Sequence, residues 1–94
     1  MRQFEVLTVG EGMIRLSVHG GASLETAPQL DVHIGGAESN VAVACARMGR
    51  RTAWMSRLGG DVLGARFLGE MRRHGVDVGS VAVDPDSRTG VYYA

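Results

Sequence analysis

Polarity patterns in the first third of the chain predict β-strands. Residues 4–10 (FEVLTVG) form a short, mostly apolar run that ends in glycine, which is typical of a strand buried on both faces of an α/β sheet. Residues 13–18 and 30–34 alternate in polarity, as expected of strands with one exposed face. Between them, residues 19–29 collect Gly, Ser, Thr and Pro and are expected to form an irregular connection. The chain should therefore open with one buried strand, followed by a smaller pair of strands.

The spacing of apolar residues changes to a helical period after Gly35 and Gly36. Four apolar residues then repeat at i, i+3, i+4 and i+7, which predicts one apolar stripe of a helix. The stripe consists of Val41, Ala44, Cys45 and Met48. We expect Ser39 or Asn40 to cap the start of this helix, and Gly49 to follow its end in the left-handed conformation.

The second half of the chain repeats the order of strand and helix. Residues 52–58 (TAWMSRL) predict a buried strand, and Asp61 can cap a helix that ends before Gly75. The apolar repeat of this helix comprises Leu63, Phe67, Leu68 and Met71. Residues 81–83 predict a brief strand, and residues 91–94 begin a last one. This order predicts an α/β fold with a parallel sheet, whose few helices leave one face and one edge thinly covered, as in the opening portion of a larger domain.

The composition is that of a folded protein with an unusual share of glycine. Hydrophobic residues make up 45% of the 94 residues and charged residues 21%, which argues against a disordered chain. There are fourteen glycines but only two prolines. Because a flexible linker would be rich in both, the excess glycine is expected at particular structural or functional positions.

Charge and cysteine content disfavour several classes of function. Ten arginines balance ten acidic residues, so there is no electrostatic reason to expect nucleic acid or an acidic membrane as a partner. The sequence contains no lysine, which excludes a Walker-type phosphate loop and Schiff-base chemistry in this chain. Cys45 has no second cysteine with which to form a disulfide or a CxxC metal pair. Without a membrane-length apolar run or a signal-peptide pattern, the chain is expected to be cytoplasmic.

The first glycine-rich candidate site is residues 10–12 (GEG), at the end of the first predicted strand. It is a weak dinucleotide fingerprint, because Arg15 stands where the last glycine is needed and a strand rather than a helix should follow. It does place the carboxylate of Glu11 at the edge where open α/β sheets bind ligands. A glycine pair that merely turns the chain explains the segment equally well.

The second candidate site, residues 35–40 (GGAESN), runs from a strand into a helix. Two glycines allow close approach of a ligand to the backbone, and free N–H groups at a helix start favour hydroxyl or anionic oxygens. Asn40 adds an amide that both donates and accepts hydrogen bonds. A tight turn with a cap is an equally good interpretation. A third segment, residues 58–61 (LGGD), is more simply explained by Asp61 as a helix cap, and the three histidines lack metal-ligand spacing.

A longer run, GGAESNVAVACARMGRRTAWMSRLGGDVLG, is followed by HGVDV and TGVYYA. The spacing of four residues in this run matches a known N-terminal signature. Asn40 and Ala42 are separated by one residue, Gly49 follows after six residues, and Gly59 follows after nine more. On these motifs the chain resembles the N-terminal part of the ribokinase-like (PfkB) carbohydrate kinases, over nearly all of its length. Within that family the opening GEGMIRLS and the segment TGVY are most similar to 2-keto-3-deoxygluconate kinases, with fructokinase-like sugar kinases next.

The resemblance implies a Rossmann-like ribokinase fold with a small β lid. Residues 1–94 would be the N-terminal portion of a single domain, with lid strands at approximately 13–34 and 89–94 and the α/β core at 4–10 and 35–83. The sugar would lie between lid and core. The residues that match sugar-contacting or cleft-lining positions are Glu11, Gly35, Gly36, Asn40 and Tyr92.

Two positions depart from the family pattern. Many relatives carry an Asp five residues after the glycine that corresponds to Gly10, whereas this chain has Arg15. An arginine facing the cleft would suit a carboxylate-bearing sugar acid better than a neutral sugar, because guanidinium pairs bidentately with carboxylate. Arg15 is therefore a candidate substrate-binding residue. Glu38 breaks the strictest form of the signature before Asn40.

The function that the resemblance implies is ATP-dependent phosphorylation of a sugar or sugar acid, with 2-keto-3-deoxygluconate favoured. The family's catalytic Asp and nucleotide pocket lie in a C-terminal half, so ATP and Mg²⁺ would bind there. No catalytic residue and no metal ligand is assigned to the present residues, and the chain alone should be inactive. The alternatives are a fructokinase-like or nucleoside kinase and a non-catalytic sugar-binding or assembly module. Association into a homo-oligomer through the lid or an exposed sheet edge is also expected.

Overall fold

The computed structural model describes residues 4–93, which fold into the predicted succession of strands and helices. The elements are β1 (Val6–Val9), β2 (Met13–Val18), β3 (Leu30–Gly35), α1 (Ala37–Arg47), β4 (Thr52–Met55), β5 (Arg57–Gly59), α2 (Val62–Arg73), β6 (Ala82–Asp84) and β7 (Gly90–Tyr93). The single strand predicted for residues 52–58 is two strands with Ser56 between them. The predicted last strand begins one residue earlier than expected, and its end at Ala94 lies outside the described residues.

Two separate two-stranded parallel sheets form the strand part of the α/β layer. Strand β1 pairs with β4, and β5 pairs with β6, both in parallel. Backbone hydrogen bonds flank the break at Ser56: the Trp54 N–H donates to the Asp77 carbonyl at 3.0 Å, and the Ala82 N–H donates to the Ser56 carbonyl at 2.9 Å. The β-α-β-α-β order thus produces the parallel layer expected of an α/β fold.

A separate three-stranded sheet has the order β3-β2-β7. Strands β2 and β3 form the predicted antiparallel pair, and β7 adds in parallel to the other edge of β2. Ile14, in β2, is fully buried and belongs to the same apolar cluster as residues of both helices. This sheet therefore packs one face against the α/β layer.

The core is a single apolar cluster shared by these sheets and both helices. Its centre is the pair Trp54 and Phe67, whose rings stack at a centroid distance of 5.0 Å. The buried members are Ile14, Ala42, Trp54, Leu58, Phe67, Met71 and Val76. On the opposite face of the β1–β4 pair, Leu7, Val9 and Met55 are exposed. The parallel strands are thus covered on one face within the described residues, as the element order predicted. The prediction that residues 4–10 form a strand buried on both faces was wrong, because the described residues provide no layer over Leu7 and Val9.

Helix α1 turns a different face to the core from the one that its apolar stripe predicts. Val41 is 51% exposed and Met48 is 72% exposed, so the predicted stripe lies largely on the outside. The residues facing the core are Ser39, Ala42, Val43 and Ala46, with the same i, i+3, i+4, i+7 spacing. The prediction was wrong because small or apolar residues cover most of this helix. Small side chains such as Ala42 allow the closest approach to the sheet and decide between the two stripes.

Helix α2 follows the sequence prediction closely. The Asp61 side chain accepts a hydrogen bond from the Gly64 N–H at 2.7 Å, which is the predicted N-cap. Phe67 and Met71 are fully buried, and Gly75 follows the helix end at φ +85°. Neither helix in residues 4–93 has both the length and the apolar character needed to cross a bilayer.

Three carboxylates should make the stability of this fold acid-sensitive. Each of these carboxylates has a lowered pKa, mainly because it accepts a hydrogen bond from a backbone N–H group. The donors are the N–H of Arg51 to Glu5, the N–H of Thr89 to Asp61 and the N–H of Asp86 to Asp84. The pKa values of these carboxyl groups are lower in the folded than in the unfolded chain. Their contribution to stability is therefore complete above the ordinary carboxyl pKa range, and it is lost as the pH falls through their pKa values in the folded chain.

We therefore expect the urea midpoint, followed by Trp54 fluorescence, to be steady from pH 7 to about 5 and to fall below about pH 4. Asp61→Asn should keep the helix cap but weaken this dependence on pH. A midpoint that is the same at pH 7 and pH 3 would show that the three carboxylates are not stabilised by folding.

Candidate functional site

Four of the six sequence-predicted site residues line one cavity. This cavity, of about 370 Å³, lies between the three-stranded sheet and the start of α1. Its lining residues are Arg15, His33, Ile34, Gly35, Asn40 and Tyr92. Arg15 comes from β2, Gly35 from the end of β3, Tyr92 from β7 and Asn40 from α1. Residues separated by up to 77 positions in the sequence thus meet at one place. We call this site the sheet cavity.

The register of the three-stranded sheet places three polar side chains in one row. Arg15 is the partner of His33 on β3 and of Tyr92 on β7. Cross-strand partners project from the same face of a sheet, and this face is opposite to that of buried Ile14. The row therefore faces away from the core cluster and provides a cation, an imidazole and a phenol to the sheet cavity.

Arg15 is partly buried and lacks an ion-pair partner among residues 4–93. The nearest acid on the same face of β3 is Asp31, the partner of Ser17 in the register, and its carboxylate lies 3.2 Å from Nδ1 of His19. A guanidinium that has lost part of its hydration without gaining a carboxylate is ready to pair with an anionic ligand. The sheet cavity is therefore suited electrostatically to a carboxylate.

Gly35 is needed because Tyr92 occupies the space that a side chain would fill. A Cβ at Gly35 would lie 2.5 Å from the Tyr92 hydroxyl oxygen and 2.9 Å from its ring. The Tyr92 ring thus lies directly over the end of β3. Gly36, the next residue, has φ +106°, and a Cβ there would lie 2.6 Å from the Glu11 carbonyl oxygen. Both glycines therefore have structural reasons to be glycine: Gly35 is buried beneath Tyr92, and Gly36 lies against the Glu11 backbone outside the lining of the cavity.

Helix α1 begins without a side-chain cap. Its N-cap residue is Gly36, so the expectation that Ser39 or Asn40 caps the helix was wrong. Ser39 is already inside the helix, and its buried hydroxyl donates backwards to the carbonyl oxygens of Gly35 and Gly36 at 2.8 and 2.9 Å. The first N–H groups of α1 therefore have no capping side chain among residues 4–93, and Asn40 remains exposed beside them.

Glu11 lies in a neighbouring cleft rather than in the sheet cavity. This cleft, of about 490 Å³, lies at the carboxyl ends of β1 and β5 and is bounded by residues 87–90. The Glu11 side chain is exposed and approaches Gly90, at the start of β7. The structure therefore separates Glu11 from the cavity that holds Arg15, although the Glu11 backbone touches Gly36 between the two sites.

The glycines on either side of Glu11 lie in close contact with other side chains, which are flexible at Gly10 and part of the rigid aromatic core at Gly12. A Cβ at Gly10 would collide with the Glu38 side chain, which reaches over the end of β1 from the first turn of α1. A Cβ at Gly12 would lie 2.7 Å from both the Trp54 and the Phe67 rings. Gly12 therefore lets the chain cross the aromatic core, which supports the structural interpretation of this glycine.

His33 is the cavity residue that the sequence analysis did not identify. It is exposed and directly opposite Arg15. The alternation of residues 30–34 indicates which side of β3 His33 occupies, but only the pairing register reveals that its neighbour is Arg15. No three side chains of His, Cys, Asp or Glu in residues 4–93 come together in an arrangement that could hold a metal ion.

Comparisons with known proteins match almost the whole chain. The model of the pfkB family carbohydrate kinases matches residues 3–94. The 2-dehydro-3-deoxygalactonokinase of Haloferax volcanii is 49% identical over 89 residues, which are 95% of this chain and 28% of that protein. Fructokinase-1 of Oryza sativa subsp. japonica is 37% identical over 89 residues, which are 94% of this chain and 28% of that protein.

The fold has the same relatives. The crystal structure of 2-dehydro-3-deoxygluconokinase from Thermotoga maritima superposes with a TM-score of 0.91 at 34% identity, covering 97% of this chain and 28% of that one. The chain therefore spans between a quarter and a third of the length of these relatives, and the Rossmann-like ribokinase fold expected from the sequence is confirmed for this portion.

Proposed function

Since this chain belongs to the pfkB family of carbohydrate kinases, we propose that it forms the sugar-binding side of a kinase for a keto-deoxy sugar acid. The substrate class is the 2-keto-3-deoxyaldonates, such as 2-keto-3-deoxygluconate and its galactonate epimer. The reaction is transfer of the γ-phosphoryl group of ATP to a primary hydroxyl of the sugar acid, which releases ADP. The names of the relatives from Haloferax volcanii and Thermotoga maritima support this substrate class.

The single observation that carries the proposal is Arg15 in the sheet cavity, partly buried and without a carboxylate partner in residues 4–93. A sugar acid would supply that carboxylate, and the bidentate pairing would fix one end of the substrate. Asn40 and Tyr92 would hydrogen-bond to the hydroxyl groups, and Gly35 would give Tyr92 the space to lie over the end of β3. A neutral sugar would leave Arg15 unpaired, at a cost in binding free energy.

The three-stranded sheet would act as a lid over the sugar. In this proposal the lid strands lie within residues 13–34 and 89–94, and the α/β core comprises residues 4–10 and 35–83; Ala94 lies outside the described residues. The face of the sheet that carries Arg15 and Tyr92 lies across the sheet cavity from Asn40 on the core. Closing such a lid would exclude water from the reaction and hold the substrate in a fixed orientation. Both effects contribute to catalysis.

Phosphoryl transfer depends mainly on positioning and charge stabilisation. The residues of this chain would bind and orient the sugar acid. The chain has no lysine, so it cannot supply a Walker-type phosphate loop for ATP. We propose that the remaining length of the family domain binds ATP and Mg²⁺ and provides the catalytic base. Glu11, in the adjacent cleft, would then line the path between the sugar and that part of the enzyme.

A kinase for a neutral sugar is the second candidate, since the rice fructokinase is 37% identical to this chain. The full-length kinase that contains this chain decides between them. A coupled assay of ADP release would compare 2-keto-3-deoxygluconate, 2-keto-3-deoxygalactonate, fructose and adenosine. We expect kcat/KM to be at least about 100-fold higher for a sugar acid than for fructose, which corresponds to about 3 kcal/mol. Fructose or adenosine as the preferred substrate would refute the proposal.

The isolated 94-residue chain should release no ADP with any of these sugars. The physical reason is that it offers substrate contacts without a site for the transferred phosphoryl group. The measurement is the same coupled assay at high protein concentration, with the full-length kinase as the positive control. Turnover proportional to the concentration of the purified chain would show that its own acidic residues suffice for catalysis.

A further inference from the structure

Asp61 accepts three hydrogen bonds, of which two come from Thr89 at the start of the three-stranded sheet's last strand. One carboxylate oxygen, Oδ1, accepts from the Gly64 N–H at 2.7 Å and from the Thr89 hydroxyl at 2.7 Å. The other, Oδ2, accepts from the Thr89 N–H at 2.8 Å. Gly64 belongs to α2, whereas Thr89 immediately precedes β7. The helix cap predicted from the sequence is thus only one part of what this side chain does.

Thr89 completes a closed network of hydrogen bonds. Its side chain is buried, and its hydroxyl oxygen accepts from the Gly59 N–H at 3.2 Å while its hydrogen goes to Asp61. The same threonine therefore binds the end of β5 and the start of α2. Hydrogen bonds to an ionised carboxylate are stronger than neutral ones, so this is a firm attachment. It is called the Asp61–Thr89 latch below.

The latch is packed too tightly to tolerate side chains at its glycines. A Cβ at Gly64 would lie 2.9 Å from the Thr89 hydroxyl oxygen and collide with the Gly59 carbonyl oxygen. A Cβ at Gly59 would lie 2.6 Å from the Ser87 carbonyl oxygen and collide with the Thr89 nitrogen. The glycines of the LGGDVLG segment thus allow the chain before β7 to lie directly against the core.

The position of the latch links it to the sheet cavity. Thr89 lies three residues before Tyr92, and β7 pairs with β2 alone among the described strands. The preceding residues 85–88 are exposed and form a turn after β6. Strand β7 is therefore held by its ladder with β2 along one edge and by the contacts of Thr89 at its start.

We propose that Asp61 is a positioning residue that anchors the start of β7 to the core and thereby holds Tyr92 over Gly35 in the sheet cavity. The consequence for substrate binding rests on the proposed function, whereas the anchoring of β7 does not. Aspartate is required because the latch needs two acceptor oxygens. Asparagine would present an amide N–H to one of the two donors of Thr89, and serine would be too short to reach Thr89.

Asp61→Ser separates the latch from the helix cap, because serine is as good an N-cap as aspartate. Amide hydrogen exchange of the chain would be measured by NMR at residues 91–93 in β7 and at residues 66–70 in α2. We expect exchange in β7 to become at least roughly 10- to 100-fold faster, since the loss of even one hydrogen bond to a charged group implies this factor, with exchange in α2 unchanged. Unchanged protection of β7, or equal loss in β7 and α2, would refute the anchoring role.

Thr89→Val tests the latch from the other side and leaves the Asp61 cap in place, so it covers the case in which Asp61→Ser does not fold. It should also accelerate exchange in β7, and Thr89→Ser should restore protection. The control Asp86→Ser lies in the same exposed turn, and its side chain makes no described hydrogen bond. Slow exchange of β7 in Thr89→Val, or the same acceleration in Asp86→Ser, would refute the proposal.

The effect on substrate is measured in the full-length kinase. Asp61→Ser should raise the KM for the sugar acid about tenfold or more, with the KM for ATP unchanged. A fall in kcat with both KM values unchanged would contradict a role through Tyr92. If the kinase prefers a neutral sugar, the proposed function fails, but the exchange experiment still decides whether Asp61 anchors β7.

Discussion

Replacing Arg15 with alanine should lower kcat/KM of the full-length kinase for 2-keto-3-deoxygluconate by roughly 10- to 100-fold, with little change for fructose. Arg15 lies in the sheet cavity without an ion-pair partner among residues 4–93, so a ligand carboxylate that enters the cavity meets a guanidinium that none of these residues has paired. Hydrogen bonds to charged groups contribute about 1.5–3 kcal/mol, which corresponds to the stated range.

Two further variants make the Arg15 result specific. Arg15→Lys keeps the charge but loses the planar guanidinium group. Its kcat/KM for the sugar acid should therefore lie between those of the wild type and Arg15→Ala. Arg66→Ala removes an exposed arginine of α2 that does not line the cavity, and should leave both activities unchanged. An equal loss for the sugar acid and for fructose in Arg15→Ala would mean that Arg15 acts on folding or lid position rather than on the carboxylate.

Gly64→Ala should destabilise the chain by about 3 kcal/mol, although alanine is a better helix former than glycine. A Cβ at Gly64 would overlap the Gly59 carbonyl oxygen and lie 2.9 Å from the Thr89 hydroxyl. The overlap is with backbone, which cannot move aside as a flexible side chain can, so the cost lies at the upper end for overpacking. Against a typical total of about 5–15 kcal/mol, this is a large loss.

Gly69→Ala is the matched control in the same helix. Gly69 is exposed, and a Cβ there would meet nothing within 4 Å. This variant should therefore stabilise the chain by about 0.5–1 kcal/mol. Urea unfolding followed by Trp54 fluorescence measures both variants. Equal effects of the two substitutions, or stabilisation by Gly64→Ala, would show that the packing around the Asp61–Thr89 latch is looser than described.

Local patterns were sufficient to predict most elements of the fold. The alternation in β2 and β3, the apolar repeat of α2 and its Asp61 cap depend on residues close in sequence, and all were confirmed. The stripe of α1 was wrong because two equally spaced stripes exist, and contact with the sheet selects the one that contains Ala42. The split of the strand at Ser56 likewise depends on its neighbours in the sheet.

The candidate site was harder to predict because it is assembled from distant segments. The resemblance to the kinase family indicated Arg15, Gly35 and Tyr92, but no local pattern shows that they meet. Their row depends on the β2–β3 and β2–β7 registers, and the irregular connection of residues 19–29 leaves the first of these undetermined. For the same reason His33 was not identified. The bond between Asp61 and Thr89 spans 28 positions and has no local signal beyond the cap.

The most direct test of the sugar-binding role is a crystal structure of the full-length kinase with 2-keto-3-deoxygluconate bound. We expect the sugar carboxylate within about 2.7–2.9 Å of the Arg15 guanidinium, as in other charge-assisted pairs, with hydroxyl groups bonded to Asn40 and Tyr92. A sugar acid bound with its carboxylate away from Arg15, and Arg15 paired instead with a carboxylate of the protein, would contradict the account.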